Sequence, residues 1–62
     1  MNLKNIRLSK NLTQNELATQ LNVTRTTVTM WESGRSSPSI LMIKKIAQVL
    51  DCTIEELLRS DN

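Results

Sequence analysis

An all-helical domain of five helices is what this sequence predicts, and three observations carry the prediction. Phenylalanine and tyrosine are absent, and no stretch alternates convincingly between apolar and polar residues in the manner of a strand. Helix-start signatures, built on a Thr or Ser just before an apolar periodic stretch, recur along the chain. Gly34 and Pro38, the single glycine and the single proline, lie close together and mark one real break.

Leu3, Ile6, Arg7 and Lys10 fall on helical spacing, and Asn11 ends this first helix because Asn tolerates the left-handed backbone better than most residues. Thr13 and Glu16 form a capping box, with Leu12 and Leu17 at the spacing of a hydrophobic staple, so the second helix starts there and covers 14–20. Thr24, flanked by Val23 and Val28 at the same spacing, caps a third helix over 24–32, which Gly34 stops. Ser37 and Pro38 suit the cap and first position of a fourth helix, whose buried stripe is expected to be Ile40, Ile43, Ile46, Ala47 and Leu50. Thr53 with Glu56 repeats the box, and Cys52 with Leu57 repeats the staple, opening a short final helix. No linker or repeat interrupts the series, so residues 1–62 read as one domain.

A chain of 62 residues builds only a small core. Such a chain hosts a binding surface more readily than an active-site cleft. With no histidine, one cysteine, no Gly-rich phosphate loop and no metal-ligand spacing, the sequence does not read as an enzyme. No metal, cofactor or small-molecule ligand is expected. No apolar run reaches the ~20 residues of a membrane span and the N-terminus lacks a secretory signal, which predicts a soluble, cytoplasmic protein with no membrane partner. The net charge of +2 is unevenly spread. Lys4, Arg7, Lys10, Arg25, Arg35, Lys44 and Lys45 face only Glu16 and Glu32 within residues 1–46, whereas Arg59 stands against Asp51, Glu55, Glu56 and Asp61 in the remainder. A polyanion would be drawn to the N-terminal part.

The second and third helices are separated only by about Gln20 to Val23, so they must cross steeply, as in a helix-turn-helix. Ala18 keeps the pair close, Leu17, Leu21, Val28 and Trp31 surround the contact, and Asn22 takes the positive φ of the turn. With Val28 as the inward centre, a rotation of about 100° per residue leaves Trp31 and Thr24 near the core and turns Thr26, Thr29 and Met30 outward, with Arg25 and Thr27 on the flanks. Four threonines, Thr24, Thr26, Thr27 and Thr29, are poor helix formers with no benefit to a merely solvated helix. Arg25, Thr26, Thr29 and Met30 are therefore the candidate base contacts, and Thr24 and Thr27 candidate phosphate contacts, on a helix that lies in the major groove. Arg25 suits a guanine edge, and the Thr methyls and Met30 suit thymine methyls.

Over residues 3–58 the chain resembles the phage lambda repressor and Cro type of helix-turn-helix protein, also called the xenobiotic-response-element family. The resemblance rests on Leu12-Thr13-Gln14, Glu16-Leu17-Ala18, Val28, Trp31-Glu32-Ser33-Gly34-Arg35, Pro38 and Ile46-Ala47, while Asn22 stands where the family usually has Gly. It implies a bacterial or phage-encoded transcriptional regulator, acting as a repressor and homodimer on a palindromic operator in double-stranded DNA. It also implies that Gln14 holds a phosphate, as helix N-termini favour anyway, and that Ser33, Arg35 and Ser36 touch the sugar-phosphate backbone. Arg7 and Glu32 match a structural salt bridge. Dimer contacts are expected from Met42, Val49 and Leu58, apolar residues away from the DNA-facing side. The alternative on the same fold is an antitoxin or anti-repressor that grips another protein, for which Leu41, Met42 and Val49 offer a surface.

Overall fold

The computed structural model describes residues 1–59. Asp61, part of the acidic tail, and the end of the predicted 1–62 domain lie outside the described residues. Five helices follow in order: α1 (Leu3–Ser9), α2 (Gln14–Leu21), α3 (Arg25–Ser33), α4 (Ile40–Val49) and α5 (Ile54–Leu58), with no strand among the described residues. The predicted fold class is borne out. None of these helices is long and apolar enough to cross a membrane.

One three-residue junction is used three times. Asn11-Leu12-Thr13, Asn22-Val23-Thr24 and Asp51-Cys52-Thr53 each begin with a left-handed residue, at φ 58°, 59° and 52°. Each continues with a half-buried apolar side chain packed on the core and ends with an extended Thr that caps the next helix. The left-handed residue lets the following amide reach back to a carbonyl of the finished helix: Leu12 N–H to Arg7 at 3.2 Å, Val23 to Ala18 at 3.0 Å and Cys52 to Ala47 at 3.0 Å. This is the Schellman closure, which satisfies carbonyls that a helix end leaves orphaned. Both predicted capping boxes form, with Thr13 and Thr53 each exchanging bonds with the Glu three residues on. Asp51 was not anticipated as a left-handed residue, although its place before an apolar residue and a Thr repeats that of Asn11 and Asn22.

Leu3, Leu17, Leu21, Val28, Ile46, Leu50 and Leu57 are almost wholly buried, so every helix contributes to one core. Asn2 N–H bonds Leu57 O at 2.8 Å and joins the two ends of the described chain.

The fourth helix departs from the sequence reading. Its cap is Ser39, whose hydroxyl accepts from Met42 N–H, and not Ser37; Pro38 lies outside the helix and is buried. Ile40 is 75% exposed and Ile43 only half-buried. The reason is rotational drift, because each three-residue step leaves a helical face by about 60°, so Ile40 stands about 120° from Ile46. Met42, four residues before Ile46, and Val49, three after it, fall about 40° and 60° from it and pack at the edge of the core. They are thus not the exposed dimer surface they were expected to be. Leu41, at 77%, and Leu58, at 52%, are exposed as expected.

Candidate nucleic-acid interface

Two helices and the loop after them build one face. The α2–α3 pair is held by Leu17, Ala18, Leu21 and Val28, all 2% exposed or less, and Trp31 at 8% closes the far side. Lys45 Nζ donates to Leu21 O at 3.1 Å, placing a cation at the end of α2 where the helix dipole favours it. With Val28 and Trp31 anchored inward, Arg25, Thr26, Thr29 and Met30 are exposed on the opposite side of α3 and Thr27 is half-buried. The expected outward set is therefore brought together. Thr24 is exposed and does not turn toward the core as the helical rotation implied, because a cap residue has extended backbone angles and lies outside that rotation. Its hydroxyl accepts from Thr27 N–H at 3.2 Å and shares a hydrogen with the Thr27 hydroxyl at 2.9 Å.

Gly34 ends α3 at φ 81°, a conformation that glycine enters without strain. The turn folds the loop back, so that Arg35 N–H at 2.9 Å and Ser36 N–H at 3.3 Å both donate to Met30 O. Ser33 Oγ also donates to that carbonyl. The side chain of Arg35 is exposed, and Ser36 is half-buried.

Behind this face lies an ion pair. Arg7 Nε and a terminal nitrogen donate to the two oxygens of Glu32 at 2.7 and 3.2 Å, and the other terminal nitrogen donates to Leu12 O at 2.7 Å. The side chains are only 7% and 5% exposed. Burial pushes the Glu32 carboxyl up, but hydrogen bonds from Arg7 and Gln14, with the charges of Arg7 and Lys4, outweigh it and hold the group below the usual glutamate value. Glu32 is therefore a carboxylate at neutral pH, which makes it an acceptor only.

Gln14 joins this pair to α3. Its Nε2 donates to Glu32 Oε1 at 3.0 Å, while its Oε1 accepts from Thr29 Oγ1 at 3.2 Å and, at the long distance of 3.4 Å, from Arg25 Nε. The sequence placed Gln14 at the head of α2 but gave no sign of this bridge, since periodicity along one helix says nothing about a side chain reaching across to another.

Not all the basic excess is available at this face. Arg7 is paired with Glu32, and Lys45 holds a backbone carbonyl.

A profile of the helix-turn-helix family matches residues 3–57. The chain belongs to this family. Helix-turn-helix relatives include a transcriptional activator, BcrR, of Enterococcus faecalis, 44% identical over 95% of this chain and 29% of its own length. A transcriptional regulator of Archaeoglobus fulgidus is 37% identical over 95% of the chain and 83% of its own length. The regulator YqaE of Bacillus subtilis is 34% identical over 98% and 53%. The chain thus spans less than a third of the Enterococcus helix-turn-helix protein and about half of the Bacillus one. The family is one of DNA-binding transcription regulators, and the resemblance read from the residues is borne out.

Proposed function

We propose that the chain binds double-stranded DNA sequence-specifically, with α3 in the major groove, as a cytoplasmic transcriptional regulator acting as a homodimer on a palindromic operator. The observation that carries this reading is the exposed face of α3, where Arg25, Thr26, Thr29 and Met30 project away from the buried Val28 and Trp31. An uncharged polar surface with one arginine enters a groove walled by phosphates without repulsion, and Arg25 has the fork that matches guanine O6 and N7. Thr24, Thr27, Ser33, Arg35 and Ser36 border that face and are assigned to phosphates, as are the first amides of α2 beside Gln14.

The dimer follows from size. The molecule extends 24 Å along its longest axis, whereas recognition helices on successive half-sites are separated by about 34 Å. One copy therefore reads one half-site. The exposed apolar residues Ile54 and Leu58 of α5, with Ile40 and Leu41 of α4, replace Met42 and Val49 as candidates for the contact between copies. Repression is the assigned sign of regulation, since occupying an operator requires DNA binding alone; the Enterococcus relative is a transcriptional activator.

The same apolar residues support the second reading, a module that grips another protein. Titration of the purified chain against a random duplex pool at several salt concentrations separates the two. A log affinity that falls linearly as log salt rises is expected. Absence of binding to any duplex at low salt overturns the proposal and leaves the protein-binding reading.

A further inference from the structure

We propose that Gln14 is a positioning residue that fixes the hydrogen-bond direction of the reading face, so that Thr29 acts only as an acceptor and selects adenine or cytosine on the strand it faces. The inference rests on α3 lying in the major groove. Its starting point is the Arg7-paired Glu32 carboxylate, which has no hydrogen to donate and so must meet the NH2 end of the Gln14 amide, at 3.0 Å. The amide cannot turn over without setting its oxygen against the carboxylate. Its oxygen is accordingly the end presented to α3.

Thr29 feels the result. Its hydroxyl lies 3.2 Å from Gln14 Oε1 and 3.1 Å from Arg25 O, and both are acceptors. One hydrogen serves both, so turning it toward DNA would leave the Thr29 oxygen facing two oxygens with no hydrogen between them. The outward side of Thr29 is left with lone pairs. In the major groove adenine N6 and cytosine N4 donate, whereas guanine and thymine offer acceptors. Arg25 has the complementary direction, since Gln14 Oε1 engages its Nε and leaves the two terminal nitrogens to donate to a guanine edge. The face therefore reads one acceptor-rich base and one amino-bearing base.

Selection of bound sites from random duplexes, for the unchanged chain, Thr29→Val and Gln14→Met, tests this, with thermal unfolding of each variant as the control for folding. The unchanged chain is expected to prefer adenine or cytosine at the position whose preference Thr29→Val abolishes. Replacing that adenine by purine, or that cytosine by 2-pyrimidinone, should weaken binding about five-fold, the size of one ordinary hydrogen bond, and should not affect Thr29→Val. Gln14→Met should narrow the discrimination at this position to about two-fold, which a merely structural role, lowering affinity for all sequences alike, would not do. A preference for guanine or thymine there, or a Thr29→Val profile unchanged at every position, overturns the inference while the groove reading stands. If the unchanged chain selects no sequence, the groove reading falls and the inference with it.

Discussion

Arg7 shows how much one side chain can carry in a domain this small. Its guanidinium satisfies both oxygens of Glu32 and the carbonyl of Leu12, so Arg7→Ala leaves a nearly buried carboxylate without its cation. A loss of about 3 kcal/mol is expected by denaturant unfolding, against under about 0.5 kcal/mol for the exposed Lys4→Ala. Equal midpoints would mean that the bridge contributes nothing. The same pair sets an acid limit. Because the fold holds the Glu32 carboxyl below its ordinary 4.5, the stabilisation is complete above that value and is lost as pH falls through the lower folded value. Glu32→Gln should therefore be less stable at pH 7 and should lose less stability on acidification toward pH 3, as thermal melts across that range would register. At the interface, Arg25→Ala should cost about 1–3 kcal/mol on the selected site and little on scrambled DNA. Arg35→Ala should weaken both alike and lower the slope of log affinity against log salt by about one. A uniform loss for Arg25→Ala would assign it to the backbone and leave specificity to Thr26, Thr29 and Met30. The outward set of α3 was legible in the sequence because Val28 and Trp31 fix its rotation. The Gln14 bridge was not, because it depends on how two helices cross.

Helix ends, more than helix interiors, made the elements readable. Thr13, Thr24 and Thr53 announce their helices by chemistry local to three or four residues, and local chemistry survives folding unchanged. The buried stripe of α4 was misread for the opposite reason. Seven apolar residues among ten permit more than one face, and the neighbouring helices, not the helix itself, decide which is covered. The left-handed residues give a direct test at this scale. Asn22 is exposed at φ 59°, so Asn22→Ala should destabilise by about 1 kcal/mol, while Asn22→Gly should be neutral or stabilising, by thermal unfolding. A more stable alanine variant would show that the turn relaxes out of the left-handed region. Cys52, in the third junction, packs half-buried against the core, and burial with the charge of Glu56 pushes its thiol up.

For the whole molecule, one face bears Arg25 and Arg35 while α5 carries Glu55 and Glu56 with the exposed Ile54 and Leu58. Two copies meeting through the second surface would keep their basic faces apart and directed at DNA. A palindromic site is therefore expected to be bound far more tightly than either half alone, with two chains per duplex by analytical ultracentrifugation. Equal affinity for an isolated half-site would argue for a monomeric reader. The sequence forecast the charge asymmetry but exaggerated its reach, because it could not show that Arg7 and Lys45 are turned to partners within the fold. The repeated three-residue junction also governs where this chain can change in length. One residue added within 11–13, 22–24 or 51–53 would part the left-handed closure of the finished helix from the Thr cap of the next and disturb the packing of the apolar residue between them. Among the described residues, the connection between Gly34, which closes α3, and Ser39, which caps α4, is longer and does not use that junction. Insertions and deletions acquired over generations should accumulate there, allowing descendants to lengthen or shorten the arm beside α3 while the angle of that helix to the rest of the fold stays the same.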